Sequence, residues 1–150
     1  MQLNCKSNEY FIREALKEAQ KAYNEDEVPV GAIAVYRNKI IARAHNQIVK
    51  LNDPTAHAEI LALRKASKKL QNERLNGVCL YVTLEPCLMC VGAMILARIE
   101  YLVYSAEDKK TGAVNLLKTI KSNHNFKIIN GILAENSADL LKRFFKTKRN

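Results

Sequence analysis

The chain has 150 residues, of which 48% are hydrophobic and 26% charged, with four cysteines and a formal net charge of +9. This length and apolar fraction suit one domain with one buried core, and they exclude disordered and collagen-like classes. Residues 1–9 lack the apolar run of a signal peptide, and no stretch approaches the ~20 apolar residues of a membrane span. We therefore expect a cytoplasmic protein without a membrane segment.

The positive charge is concentrated near the C-terminus. Residues 1–108 contain 14 Lys and Arg against 13 Asp and Glu, whereas residues 109–150 contain 10 against 2, which gives +8. A basic surface attracts polyanions, among which nucleic acids are common partners. A solvated basic tail that only aids solubility is the alternative, and the charge alone leaves both open.

The first elements in the chain are a helix, a hairpin and a second helix. Ser7 can cap a helix that ends near Tyr23, because apolar residues recur at helical spacing after it. Residues 28–36 are β-branched and apolar, and a tight turn joins them to a second strand over 40–44. Asp53 followed by Pro54 is typical of a helix start, which predicts a helix to about Leu70.

The remaining elements alternate between strand and helix. We predict strands over 77–83, 99–104 and 126–129, and helices from Glu85-Pro86 to about Ala97, over 113–120 and over 135–146. Alternating elements predict a three-layer α/β/α sandwich, with helices on both faces of a five-stranded mixed sheet. We expect one domain over 1–150, with a basic C-terminal helical segment over 135–149.

His57, Cys87 and Cys90 have the spacing of metal ligands. The two cysteines are three residues apart in the first turns of a predicted helix, so their sulfurs share one side, and a helix N-terminus favours thiolates. Two thiolates and one imidazole suit zinc, and three protein ligands leave a position for water, as in catalytic zinc sites. We predict one Zn2+ per subunit.

Other uses of the cysteines are less consistent with the sequence. Disulfides are uncommon without export, and we interpret Cys5 and Cys79 as ordinary thiols. The other histidines and cysteines lie at no short ligand spacing, which disfavours a structural zinc ribbon. A redox role for the Cys-x-x-Cys pair would leave His57 and Glu59 unexplained.

Glu59 is the candidate proton shuttle. The alternative is a solvated helix carboxylate, but Glu59 lies within an apolar stretch of the second predicted helix. On a regular helix, a residue two positions from His57 points to a different flank. Glu59 and His57 can therefore share one site only if the metal lies beyond the end of the helix.

Three longer strings carry a resemblance to a known family. They are VPVGA at 28–32, DPTAHAE at 53–59 and TLEPCLMCVGAM at 83–94, and further matches extend over residues 9–145. The chain resembles the bacterial tRNA-specific adenosine deaminases, whose H-x-E and P-C-x-x-C strings are an established signature of zinc deaminases. The resemblance implies a cytidine deaminase-like fold and a homodimer. It also implies hydrolysis of the wobble adenosine in the tRNA anticodon loop to inosine, without an organic cofactor.

The resemblance also implies residues that bind the substrate. It places Asn46 in the base pocket and makes Val30 and Leu84 apolar walls, although a turn residue and core packing are their plain alternatives. It directs Asp108, Asn123 and His124 towards the anticodon loop, where each could equally be a solvated loop residue. Phe144 and Phe145 lie among five cations, and an aromatic ring there can stack on a splayed base. Burial of both rings is the alternative, and we expect at least one of them to pack inward and the other to reach RNA.

Two other functions stay open. The zinc signature is shared with deaminases of free bases and nucleosides such as cytosine, cytidine or guanine, which would have no use for the basic end. A non-enzymatic zinc-bearing RNA-binding module would keep the metal and the basic end but would not need Glu59.

Overall fold

The computed structural model describes residues 5–149, and the side chains of residues 8–149. Five strands form one sheet in the order β2-β1-β3-β4-β5. The strand β1 is antiparallel to both neighbours, while β3, β4 and β5 are parallel, which confirms the predicted mixed sheet. The strands are β1 (Gly31–Tyr36), β2 (Lys39–His45), β3 (Val78–Leu84), β4 (Tyr101–Ala106) and β5 (Lys127–Asn130).

Helices cover both faces of the sheet, which confirms the predicted three-layer sandwich. Side chains alternate across a strand, so neighbouring strand residues enter different cores. Ile33 and Tyr81 pack with Phe11 and Ile12 of α1, whereas Ala32 and Leu80 belong to the core under α2 and α3. α4 contacts β4 on the α1 side. The helices are α1 (Cys5–Asn24), α2 (Ala58–Leu70), α3 (Leu88–Ala97) and α4 (Ala134–Lys148).

The predicted start of the second helix is wrong. α2 begins at Ala58, with His57 as its N-cap residue. The Asp53 carboxylate accepts hydrogen bonds from the backbone N–H (2.8 Å) and the hydroxyl (2.7 Å) of Thr55, so it closes a local turn instead of capping a helix.

The helix predicted from Glu85-Pro86 also starts later, at Leu88, with Cys87 as its N-cap residue. The backbone N–H of Glu85 donates to the Ala106 carbonyl at 2.8 Å, and the Pro86 carbonyl accepts from Ala113 at 2.9 Å. These bonds hold residues 85 and 86 in extended pairing beyond the end of β3. Both helix starts are displaced towards the residues that the sequence marks as metal ligands.

Smaller differences occur elsewhere in the described chain. The predicted helix over 113–120 is a 3-10 helix, Val114–Lys118, where the Thr119 hydroxyl bonds the Leu116 carbonyl and ends the run. The first strand starts at Gly31 because Val28 and Val30 form a tight turn before it. Ser7 lies inside α1, so it is not the cap residue. The side chains of Ser7 and Cys5, and so the expected plain thiol of Cys5, fall outside the described residues.

This arrangement brings the ends of two strands and the starts of two helices to one edge of the sheet. The carboxyl ends of β3 and β4 meet the N-termini of α2 and α3 there, which is where open α/β sheets commonly bind ligands. Within residues 5–149, none of the helices combines the length and apolar character needed to cross a membrane.

Candidate active site

His57, Cys87 and Cys90 converge at this edge. The His57 Nδ1 atom lies 3.7 Å from each sulfur, and the sulfurs are 3.8 Å apart. Tetrahedral zinc, with Zn–S of about 2.3 Å and Zn–N of about 2.0 Å, separates two sulfurs by about 3.8 Å and sulfur from nitrogen by about 3.6 Å. Among the side chains of residues 8–149, no other His, Cys, Asp or Glu joins this group. The donor set and its spacing therefore fit one zinc ion.

The helix starts explain how the ligands meet. His57 and Cys87 occupy N-cap positions that Ser, Asp or Asn commonly fill, and their side chains face each other instead of the first helix amides. Cys90 follows in the first turn of α3 and is fully buried. Two helix N-termini thus direct their positive dipole ends at this point, which favours thiolates.

Burial sets the protonation of the ligands before metal enters. It lowers the pKa of the His57 imidazole, which favours the neutral ring that coordinates metal. Burial, followed by the charges of Glu59 and Cys87, raises the pKa of the Cys90 thiol. A thiolate at Cys90 therefore needs a cation beside it, and a bound metal ion would supply one.

Glu59 lies in the first turn of α2 and is only 4% exposed. Burial raises the pKa of its carboxyl to about 7, and the Cys90 thiol is close enough to affect it. A carboxyl with this pKa can both take and give a proton near neutral pH. Because His57 is the N-cap residue of α2, the ligand group lies beyond the N-terminal end of that helix. This is the position that allows His57 and Glu59 to share one site.

Asn46 connects the hairpin to the start of α2. Its Oδ1 atom accepts a hydrogen bond from the backbone N–H of Ala58 at 2.8 Å, and its Nδ2 donates to the Val28 carbonyl at 3.1 Å. Asn46 thus satisfies the first of the amides at the start of α2 that have no partner within the helix. It also lines the adjoining cavity.

A cavity of about 950 Å³ opens over the ligand group. His57, Cys87 and Glu59 lie in its floor, and its apolar walls are Val28, Val30, Ile48, Leu84, Leu141 and Phe145. This volume is within the range of sites that take small molecules or a single nucleotide.

Charged residues from two segments line the cavity. The segments are the rim loop, residues 107–114, and the C-terminal part of α4 with the Arg149 that follows it. The cations that line the cavity are Lys109, Lys110, Lys142, Lys146 and Arg149, and the acids on the rim loop are Glu107 and Asp108. An excess of cations around an opening attracts a polyanionic substrate.

The structure brings only some of the predicted substrate residues to the cavity. Val30, Leu84, Asp108 and Phe145 line it together with Asn46. The Asp108 carboxylate accepts hydrogen bonds from its own loop, at the backbone N–H groups of Lys110 and Thr111 and the Thr111 hydroxyl. Asp108 therefore shapes the rim loop as well as facing the cavity.

Of the two phenylalanines named as substrate residues, Phe144 is the one that packs inward. It is 5% exposed and packs edge-on against Tyr23 of α1, with ring centroids 5.9 Å apart, so its ring holds α4 on the domain. Asn123 and His124 are not among the cavity-lining residues. The His124 Nε2 pairs with the Ile99 carbonyl at 2.7 Å, and Asn123 is exposed beside it.

Sequence reasoning missed other lining residues. Glu85, Ile48, Lys109 and Lys110 line the cavity, but none carries a metal-ligand pattern. Glu85 had one available signal, its place two residues before the ligand Cys87.

Comparisons with known proteins identify the family to which the chain belongs. Residues 6–149 match the family model described as MafB19-like deaminase. The chain is 49% identical over 146 residues to the tRNA-specific adenosine deaminase of Aquifex aeolicus, covering 95% of this chain and 96% of the relative.

Two solved structures are similar to the whole fold. One, from a study of A-to-I editing by tRNA:A34 deaminases at the wobble position of transfer RNA, is 44% identical with a TM-score of 0.86, covering 88% of this chain and 99% of that one. The other, a guanine deaminase from Nitrosomonas europaea, is 26% identical with a TM-score of 0.81, covering 91% and 83%.

Proposed function

The chain belongs to the family of tRNA-specific adenosine deaminases, and we propose that it is the zinc-dependent hydrolase that converts the wobble adenosine of transfer RNA to inosine. The observation that carries the proposal is a cavity lined by His57, Cys87 and the buried Glu59, where Cys90 completes a His-Cys-Cys group that could hold a metal ion. A transfer-RNA substrate also agrees with the cytoplasmic location expected from the sequence.

The reaction exchanges the exocyclic amine of adenine for the oxygen of water and releases ammonia. His57, Cys87 and Cys90 would hold zinc, which as a Lewis acid lowers the pKa of a coordinated water. Glu59 accepts a proton from the attacking water and delivers it to the ring nitrogen beside the amine. The C6–O bond forms, and Glu59 then takes the remaining proton from the new C6 hydroxyl and passes it to the amine. The C6–N bond breaks, ammonia leaves and the C6 carbonyl of inosine forms.

The walls of the cavity suit a base that has left its stack. Val30, Leu84 and Ile48 provide apolar contact for the ring. The Nδ2 of Asn46 uses one of its two hydrogens on Val28, so the second can donate to the base. A single-stranded loop lets a nucleotide enter such a pocket at low cost in unstacking energy.

The cations at the mouth favour RNA over a free base. Lys109 and Lys110 of the rim loop line the same cavity as Lys142 and Lys146 of α4. Phosphates on either side of a splayed nucleotide would lie near these side chains. Phe145 is 45% exposed at the same edge, where its ring can stack on a neighbouring base.

We also propose that the protein is a homodimer. The outer side of α3 exposes Leu88 (57%) and Leu96 (81%), so this helix leaves apolar surface uncovered in the described chain. A second copy would bury that surface. A mass measurement by light scattering tests this: about twice the 17.0 kDa of one chain is expected, and a single-chain mass contradicts it.

Comparison of substrates tests the choice of RNA. We expect the zinc-loaded protein to turn over an anticodon stem-loop far faster than free adenosine, cytidine or guanine at equal concentration, with ammonia release as the common readout. Preference for a free base would instead support the alternative function, a deaminase of free bases or nucleosides. A guanine deaminase is among the similar solved structures.

The non-enzymatic rival is tested on the same RNA. It predicts tight binding of the stem-loop and zinc by the unaltered protein without any release of ammonia or inosine. Detection of inosine that depends on zinc rejects this rival.

A further inference from the structure

Glu85 contacts the rim loop through both of its carboxylate oxygens. Its Oε1 accepts a hydrogen bond from the backbone N–H of Asp108, and its Oε2 accepts one from Val114, each at 3.2 Å. These two amides lie at opposite ends of the loop, residues 107–114. One side chain therefore closes the whole loop against the end of β3.

Gly112 shows how tightly the loop surrounds this carboxylate. A Cβ atom at Gly112 would lie 2.4 Å from the Glu85 Cδ atom and 2.4 Å from the Asp108 carbonyl oxygen. One of these atoms is backbone, so the contact cannot be relieved by rotating a side chain. The loop thus has one close-fitting position over Glu85.

The position of the loop is linked to that of the metal ligands. Glu85 is two residues before Cys87, and the intervening Pro86 carbonyl accepts a hydrogen bond from Ala113 of the loop at 2.9 Å. A shift of the loop relative to α3 would break these contacts. The cations at 109 and 110 are thereby held at a fixed distance from the site of the chemistry.

We propose that Glu85 is a positioning residue for the substrate: it fixes the rim loop so that Asp108, Lys109 and Lys110 meet the RNA in register with the reacting base. This inference rests on the proposed function. Glu85 acts through the loop, so its loss should weaken binding of RNA while leaving zinc and the proton transfers of Glu59 in place.

Glu85→Ala and the isosteric Glu85→Gln test the proposal on the zinc-loaded protein. Glutamine keeps one acceptor oxygen, so it should hold one end of the loop. We expect KM for an anticodon stem-loop to rise about 30-fold in Glu85→Ala and about 5-fold in Glu85→Gln, with kcat within about threefold and one zinc retained per chain. A fall in kcat at unchanged KM, or loss of zinc, overturns the proposal.

Hydrogen exchange provides a readout that does not depend on the substrate. In Glu85→Ala the amides of both Asp108 and Val114 should exchange at least about 10-fold faster, in Glu85→Gln only one of the two should do so, and the amides of α1 should keep their rates in both variants. Glu14→Gln is the matched control, because Glu14 is a buried carboxylate paired with Arg43 away from the cavity, and it should leave the loop amides unchanged. Unchanged exchange at Asp108 and Val114 overturns the anchoring role.

The two readouts separate this inference from the proposed function. If the unaltered protein does not deaminate the stem-loop, the proposed function fails, and the exchange rates still decide whether Glu85 anchors the loop. If the unaltered protein is active and the Glu85 variants keep its KM, the positioning role fails alone.

Discussion

The Oδ1 atom of Asn46 lies 2.8 Å from the backbone nitrogen of Ala58, the first residue of the helix that follows His57. A side chain from the end of the hairpin thus caps a helix whose own cap residue is directed at the metal site. This hydrogen bond joins the end of the hairpin to the start of α2, directly after His57.

Replacing Asn46 with alanine removes this hydrogen bond and should destabilise the protein. We expect a loss of about 1–2 kcal/mol in the free energy of unfolding, because the amide of Ala58 is buried and would lose its acceptor. Urea denaturation of the zinc-loaded protein measures it. Asn72→Ala is the control, because Asn72 accepts a similar bond from Arg74 in an exposed turn, and it should cost much less. Equal losses in the two variants would contradict the capping role.

The cysteines should differ in their effect on zinc. Cys87→Ser and Cys90→Ser each remove a thiolate from a three-ligand site, so bound zinc should fall well below one per chain after dialysis. Atomic emission on the purified variants measures the content. Cys79→Ala is the control, since Cys79 lies in β3 and is absent from the ligand group, and burial raises the pKa of its thiol to about 11. Full zinc in Cys87→Ser would refute the assignment.

The adjacent phenylalanines of α4 should separate stability from RNA binding. Phe144→Ala removes a buried ring and should cost about 3–5 kcal/mol of unfolding free energy. Phe145→Ala removes an exposed ring at the cavity and should raise KM for the stem-loop about 5- to 50-fold with little loss of stability. Denaturation and steady-state kinetics on both variants check this, and the reverse pattern would show that α4 is rotated.

The lysines of α4 should control the salt dependence of RNA binding. The double variant Lys142→Ala and Lys146→Ala should make the slope of log Kd against log salt shallower by about 1.4, the value for two contacts to single-stranded phosphates. Fluorescence anisotropy with a labelled stem-loop provides the measurement. Lys68→Ala with Lys69→Ala is the control, because it removes the same charge from the end of α2, outside the cavity lining. An equal change in slope in the control would mean that only net charge matters.

The spacing of side chains predicted the chemistry better than it predicted where helices begin. His57, Cys87 and Cys90 could be grouped from sequence because metal ligation restricts residue type and spacing so strongly. Asp53 and Pro54 gave a false helix start, because Asp53 can satisfy the amide of Thr55 as readily as that of a helix.

Other features depend on contacts that no local pattern contains. The role of Glu85 comes from amides that are 23 and 29 residues away in the chain. Phe144 and Phe145 are adjacent and of the same residue type, and the orientation of α4 on the domain decides which ring is buried. Which of the two rings is buried follows from tertiary packing. The resemblance to a family suggests RNA contact for both phenylalanines and does not distinguish the buried ring from the exposed one.

The proton-transfer role of Glu59 is tested most directly by mapping inosine in transfer RNA incubated with the unaltered protein and with Glu59→Gln. We predict inosine at the wobble position with the unaltered protein. Glu59→Gln should keep its zinc and its affinity for RNA but lose turnover by at least about 10³-fold, since the shuttle is gone. Inosine formation by Glu59→Gln at the rate of the unaltered protein, or its absence with both proteins, would contradict the account.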